Sequence, residues 1–261
     1  MTSEKCEKWQ KEWLSENEGK EYGDLFFKRA TGDTPEMESS KAAAAQVRSI
    51  LNKHDTVIDI GCGAGHYLYS LRSRLDTPFQ YRGVDATPYY IDRAKAAFSN
   101  DAHADFQVGN IFDLPLNDAA GDIVMCNNVL LHLPSVAKPL SELIRVSRRH
   151  VLIRTLVAEK SYVVQDIEPQ SDGRDFDENN EPVGFHYLNI YSRSYISHLL
   201  SQESRVKSVE YEYDNDYDPN SVSDTGNLLK NSWDRTSTIE GIQVSGMIIL
   251  PWTWVKIELA A

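Results

Sequence analysis

Residues 57–65 read Val-Ile-Asp-Ile-Gly-Cys-Gly-Ala-Gly, so an apolar run carrying one acid, Asp59, ends in three alternate glycines, Gly61, Gly63 and Gly65. A short buried strand that breaks into such a turn lets a ligand approach the backbone closely, because no Cβ stands in the way. His66, Leu68, Leu71 and Leu75 are spaced for a helix directly behind it. Backbone N–H groups and an open helix N-terminus would then face a nucleotide-like ligand. A dinucleotide fingerprint needs a glycine at position 66, which is His66, and no Gly-Lys-Ser/Thr follows to make a phosphate-cradling loop. Asp59 would repel a pyrophosphate but suits a ligand bearing an ammonium group. The plainer alternative is a structural glycine turn, which would not require the acid.

The run resembles motif I of the class I S-adenosylmethionine (SAM) methyltransferases, apolar-x-Asp/Glu-apolar-Gly-x-Gly-x-Gly. SAM has no phosphate and carries an α-amino group and a sulfonium, which gives the acid a purpose. The resemblance implies further cofactor residues. Asp85 ends the segment Gln80-Tyr81-Arg82-Gly83-Val84, roughly 20 residues past the glycine turn, where family members use an acid for both ribose hydroxyls. Its simpler role is an N-cap for a helix starting near Pro88, and the two roles can coexist. Asp105 to Pro115 looks like the family's strand followed by Gly-Asp-Ala-x-x-Leu-Pro, so Asn110 replaces the acid that reads the adenine edge and Ile111 supplies the N–H. Whether Asp113 takes over that contact is open. Asp122 to Leu133 matches the fourth strand and the loop that runs under the sulfonium. The implied cofactor set is Asp59, Gly61, Cys62, Gly63, Gly65, Asp85, Ala86, Asn110, Ile111, Phe112 and Asn127, with SAM as donor and S-adenosylhomocysteine as product. The match covers about residues 55 to 155 and is closest to the broad group that includes the ubiquinone/menaquinone-biosynthesis methyltransferases.

Methyl transfer from a sulfonium is an in-line displacement, so holding the acceptor lone pair near the methyl supplies most of the catalysis. An alcohol or phenol acceptor also needs a general base. His132, on the loop after strand four, is the first candidate, and the alternative is that it orders the loop by bonding a backbone carbonyl. His186, in Phe185-His186-Tyr187, is the second, against the reading of an incidental loop histidine. Tyr22, Phe26, Phe27 and Arg29 lie where such enzymes place a lid, or else pack simply against the sheet. Asp166, Glu168, Asp172, Asp175, Asp177 and Glu178 form an acidic cluster that suits a cationic acceptor, a divalent metal or plain solvation. Without defined ligand spacing no metal site is assigned.

These groups need a scaffold. Strands are expected near 56–60, 80–84, 104–108, 122–126 and 150–156, alternating with helices. That rhythm implies a doubly wound, mainly parallel α/β sheet, seven-stranded and Rossmann-like by the resemblance. Cys6, Trp9, Trp13 and Leu14 share one helical face, and a second helix follows Thr34-Pro35 with the alanine run Ala42 to Ala45. The expected division is a helical lid over 1–52, the SAM-binding core over 53–156, an acceptor-side insertion with a helix and a strand over 157–243, and a last strand from 244 to the end. Alternation of Val209, Tyr211 and Tyr213 with acids marks the strand within the insertion region. Arg145, Arg148, Arg149 and His150 read as a solvated helix end.

The net charge of −12 over 261 residues argues against a nucleic-acid substrate. The apolar runs are shorter than a membrane span, the N-terminus lacks a signal-like apolar region, and the 3 cysteines, without metal spacing, suit a reducing cytoplasm. The expectation is a methyltransferase for a small polar or sugar-like acceptor, oxygen slightly ahead of nitrogen. A macromolecule methyltransferase and a non-catalytic SAM-binding sensor are the alternatives.

Overall fold

The computed structural model describes residues 16–167, 173–214, 236–239, 242–245 and 248–260. Cys6, Trp9, Trp13 and Leu14, and Glu168, Asp172 and Met247, lie outside the described residues. Two helices lead in, α1 (Glu16–Thr31) and α2 (Glu38–Arg48). The core then alternates as expected: β1 (Thr56–Ile60), α3 (His66–Arg74), β2 (Gln80–Asp85), α4 (Pro88–Ala97), β3 (Ala104–Val108) and β4 (Gly121–Asn127). A 3₁₀ turn (Leu130–His132), α5 (Ala137–Val146) and β5 (Ser147–Ala158) complete it.

Beyond β5 come the short strands β6 (Gln165–Ile167), β7 (Phe185–Tyr187) and β8 (Tyr191–Ser192), then α6 (Arg193–Leu200) and β9 (Val206–Tyr213). The strands β10 (Thr236–Ile239), β11 (Ile242–Ser245) and β12 (Ile248–Ile249) precede β13 (Trp252–Leu259).

The main sheet runs β3-β2-β1-β4-β5-β13-β9, and β8 pairs the end of β5 as an eighth strand. The first five are parallel, while β13 is antiparallel to both β5 and β9. The strand order reverses between β1 and β4, so the crevice at the carboxyl ends of those strands is where ligands bind in such sheets. No helix among the described residues is long and apolar enough to cross a membrane.

Alternation along the buried strands sorts the core onto two faces. Ile58, Val124, Val151 and Ile153 pack with Leu140 and Leu143 of α5 and Ile196 and Leu200 of α6. Val57, Ile123, Met125 and Leu152 pack with Leu68 and Leu71 of α3 and with Ala43, Ala44 and Val47 of α2. The small residues of α2 are almost wholly buried and let it lie close.

Two expectations are corrected. The last sheet strand is 252–259 rather than starting at 244: Pro251, without an N–H, stops it, and β11 pairs with β10 and β12 with β11 in a separate three-stranded sheet. The basic run is not a solvated helix end. Arg145 alone lies in α5, where it pairs with Glu142 one turn back and with Asp118; β5 begins directly at Ser147, and its Arg148 and Arg149 pair with Asp122 and Asp55.

Candidate functional site

The glycine turn is held by the backbone. Gly61, Gly63 and Gly65 have φ of 79°, 54° and 85°, where L side chains are strained. The first glycine is also sterically required, because a Cβ on Gly61 would lie 2.3 Å from Cγ2 of Val129. The Gly61 and Cys62 N–H groups both donate to the Val84 carbonyl (2.7 and 3.2 Å), tying the turn to β2, and Gly65 caps α3. The Gly63 N–H donates to Asp85 Oδ2 at 2.9 Å. These N–H groups are therefore paired within the protein, and the turn admits a ligand through its missing side chains.

Both candidate acids stand beside the turn. Asp59 is fully buried; its Oδ2 accepts from the Tyr81 hydroxyl at 2.7 Å, and its Oδ1 has no partner. Burial, opposed by the Tyr81 bond and reinforced by the Asp85 charge, pushes its pKa up to about 7. Asp85 bridges the Gly63 and Thr87 N–H groups. Burial raises its pKa against those two bonds. It does not cap α4, whose N-cap is Thr87. Ala86 sits between them, partly exposed. Asn110 folds its Oδ1 onto the Phe112 N–H at 3.0 Å, an Asx-type turn. Ile111 is buried, Phe112 is half-buried, and Asp113 is exposed beside them. Cys62 is buried against Gly83. Burial drives its thiol and that of Cys126 well up, so both stay protonated and unreactive.

Asn127 ends β4, is 4% exposed, and has no partner for either amide atom. Its neighbour Asn128 takes a left-handed conformation, φ 59°. Asn128 Oδ1 accepts from Arg154 Nη1 at 2.6 Å, its Nδ2 donates to the Tyr67 hydroxyl at 3.3 Å, and its N–H donates to the Arg154 carbonyl. Arg154 is also ion-paired to Asp214 and lies over the Trp252 ring, all within the buried end of the sheet.

The two candidate histidines meet across the next turn. His132 Nδ1 bonds the Tyr187 carbonyl at 2.9 Å, which makes it the N–H donor and ties the 3₁₀ turn to β7. Burial lowers its pKa to about 4, opposed by that bond and helped by the charge of His186 nearby. The geometry favours the loop-ordering role for His132. The same turn is pinned by Asn189, whose Nδ2 donates to Leu133 O (2.9 Å) and whose N–H donates to Leu131 O (2.8 Å), and by the Tyr191 hydroxyl on Leu130 O (2.8 Å). Asn189 was missed by sequence reading, since its partners are backbone carbonyls about 60 residues away that no local pattern announces.

α1 lies over the glycine turn. Phe26 stacks on His66 (centroids 4.5 Å apart, 16° between planes), meets Tyr90 edge-on, and comes within 3.2 Å of the Gly63 Cβ position. His66 is buried, and burial together with the Arg29 charge lowers its pKa to about 3. Phe27 instead lies under the Arg93 guanidinium, and Asp24 bonds Tyr89 and Arg93, docking α1 on α4. Of the lid group, Phe26 reaches the site, Tyr22 packs on Phe26, Phe27 serves docking and Arg29 is buried. No cluster of three or more potential metal ligands exists among the described residues.

Unpaired buried atoms at Asp59, His66 and Asn127, around a turn without side chains, fit a small polar ligand carrying a cation. Comparisons with known proteins agree. The sequence model of a family described as "Methyltransferase domain" matches residues 51–181, half of the chain. The chain is 28% identical over 120 residues to ajmaline N-methyltransferase of Rauvolfia serpentina, covering 45% of this chain and 39% of that protein. It is 30% identical over 109 residues to demethylmenaquinone methyltransferase of Lactiplantibacillus plantarum, covering 41% and 45%. The matched stretch thus spans less than half the length of these relatives. The fold is shared with phosphoethanolamine N-methyltransferase 2 of Haemonchus contortus, solved with SAM, at TM-score 0.59 and 13% identity over 95% of this chain and 59% of that one. The glycine turn, the sheet order and the family match together make this chain a member of the methyltransferase-domain family, within the class I SAM-dependent methyltransferase superfamily.

Proposed function

We propose that this protein transfers a methyl group from SAM to a small polar metabolite or sugar-like acceptor, with oxygen slightly favoured over nitrogen. The observation that carries this reading is the convergence, in one buried site, of a Cβ-free turn, the acids Asp59 and Asp85, and the unpaired amide of Asn127. When bound, SAM supplies a methyl group on a positively charged sulfur. Asp59, with its unpaired Oδ1, would hold the cationic head, and a cation placed there would drive its carboxyl to ionise. Asp85 would accept the ribose hydroxyls beside the Gly63 and Thr87 N–H groups that hold its carboxylate in place. Asn110 and the Ile111 N–H face the adenine edge. The unpaired amide of Asn127 would offer the bound donor its N–H groups and its oxygen. Phe26 and Tyr90 exclude water above it. His132 holds the acceptor loop, and we assign proton removal from an oxygen acceptor to His186, partly exposed beside it. The unpaired, buried thiols of Cys62 and Cys126 support a cytoplasmic setting.

Calorimetry tests the donor: S-adenosylhomocysteine should bind, NAD should not, and Gly63→Arg should abolish binding. Preference for NAD would sink the assignment. Radiolabelled SAM incubated with acceptor pools then identifies the acceptor. Label recovered only in macromolecules would overturn the small-molecule reading.

A further inference from the structure

Asn127 and Asn128 are neighbours with opposite surroundings. Asn127 is 4% exposed and neither of its amide atoms has a partner, whereas Asn128 bonds the protein through both of its own. A buried, orphaned amide is rare in a folded chain, and it stays orphaned only if the polar groups around it are held elsewhere. The nearest of these is Arg154, which pairs with Asn127 across β4 and β5. Each stands two residues beyond a core member of one face, Met125 and Leu152. Their side chains therefore emerge side by side on the face covered by α2 and α3.

Three contacts hold the Arg154 guanidinium away from Asn127. Its Nε donates to Asp214, just after β9, its Nη1 donates to Asn128 Oδ1 at 2.6 Å, and its Cζ lies 4.0 Å from the centroid of the Trp252 ring. A guanidinium can make all three at once, because its donors diverge within a plane that also stacks; an ammonium cannot. Stability alone does not call for the ion pair, since buried pairs of this kind are often replaceable by apolar residues of similar volume. What the pair adds is a fixed place for Asn128. The Arg154 carbonyl accepts the Asn128 N–H at 2.9 Å while its guanidinium holds the side chain. On the other side, Asn128 Nδ2 donates to the Tyr67 hydroxyl (3.3 Å), which donates to Ser39 Oγ of α2 (3.0 Å). This double grip keeps Asn128 at φ 59°, a conformation that L residues seldom hold without support. The bend leads from Asn127 directly into Val129, whose Cγ2 lies 2.3 Å from where a Cβ on Gly61 would stand. One strained residue thus sets both the orphaned amide and a wall of the glycine turn.

We propose that Arg154 is a positioning residue for the donor: anchored by Asp214, it grips Asn128 in its left-handed turn and so keeps the Asn127 amide open for the ligand. Asp214, beyond the edge strand β9, then contributes to donor binding without touching the donor. This rests on the donor reading above.

Calorimetry with S-adenosylhomocysteine, and urea midpoints on the same variants, test it. Asn127→Ala should weaken binding about 10-fold, as expected for hydrogen bonds lost in a buried site. Arg154→Met with Asp214→Leu should stay folded and weaken binding by a similar factor. Adding Asn127→Ala to that pair should weaken it no further, whereas independent contributions would multiply to about 100-fold. Arg154→Lys keeps a charge for Asp214 but cannot also hold Asn128, so it should lose affinity while retaining most of its stability. If the apolar pair does not fold, the Lys variant carries the comparison. Undiminished affinity in the folded Arg154 variants or in Asn127→Ala overturns the proposal and leaves the donor reading standing. So does a loss that multiplies with that of Asn127→Ala. Wild-type protein that does not bind S-adenosylhomocysteine removes the donor reading itself, and the proposal with it.

Discussion

The donor half and the insertion after β5 border the same site and are built in opposite ways. Around the donor the backbone sets the geometry: three left-handed glycines, N–H groups tied to Val84 and Asp85, and strands buried on both faces. In the insertion, β6 and β7 are three residues each, and Val163, Ile167 and Phe176 are 75%, 53% and 61% exposed. Its β6–β7 part meets the core through the pairing of β8 with β5 and through bonds from Tyr187, Asn189 and Tyr191 to the turn after β4. The difference teaches that the donor turn is set by the backbone of the sheet, whereas the proposed acceptor side is positioned by side-chain bonds to a single turn.

The contrast can be broken most severely at Gly61. Gly61→Val places a Cβ against Val129 at a φ of 79° and should cost about 4 kcal/mol or more, read from denaturant midpoints at constant slope. Val129→Ala in the same chain should recover the steric part only. Full recovery would mean that backbone strain is not part of the donor site's rigidity.

Next is the charge pair that joins the two halves. Asp214→Ala leaves Arg154 buried without its partner and should cost about 3–5 kcal/mol, while Arg154→Met with Asp214→Leu should return near wild-type stability. Equal losses in both variants would show that packing, not charge, matters there.

Acid sharpens the comparison through the histidines. Buried His66 and His132 have pKa values of about 3 and about 4 against 6.5 when unfolded. Below pH 6.5 the unfolded chain binds more protons, so their contribution is complete above pH 6.5 and is lost as pH falls towards 4. Asp59 acts oppositely: raised from 3.8 to about 7, it is protonated in the folded state and adds stability as pH falls through the same window. Two histidines outweigh one acid, for a net loss on the order of 3 kcal/mol between pH 7 and 4. Urea midpoints across that range should decline, and more steeply in Asp59→Asn; a flat profile contradicts the assignment.

The smallest effects belong to the insertion. Asn189→Ala strands the Leu133 carbonyl and should cost about 1–2 kcal/mol, lowering turnover with S-adenosylhomocysteine affinity unchanged. Phe176→Ser, on the exposed part of the same segment, should change stability by less than about 0.5 kcal/mol. A donor affinity that followed Asn189 would erase the distinction between the halves.

Local rules made the donor half readable. Alternating glycines behind an apolar run need little context, since positive φ and a missing Cβ are properties of the residue type. Strand and helix alternation through β5 followed from periodicity, and so did the aromatic strand at β9. Asp85 was placed by its interval from the turn. What it touches, the Gly63 and Thr87 N–H groups, was not legible. Pro251 was visible in the chain, yet its effect on the last strand was lost in the longer apolar run.

The amino-acid order alone therefore settles the donor turn, the class of sheet and the family, because these depend on backbone permissions and short-range period. Only the tertiary structure decides that His132 bonds Tyr187, that Arg154 meets Asp214, and that Arg29 is buried without a partner. Each of those outcomes depends on burial and on partners distant in sequence, and burial turns a polar side chain from a surface detail into a group whose partner must be found.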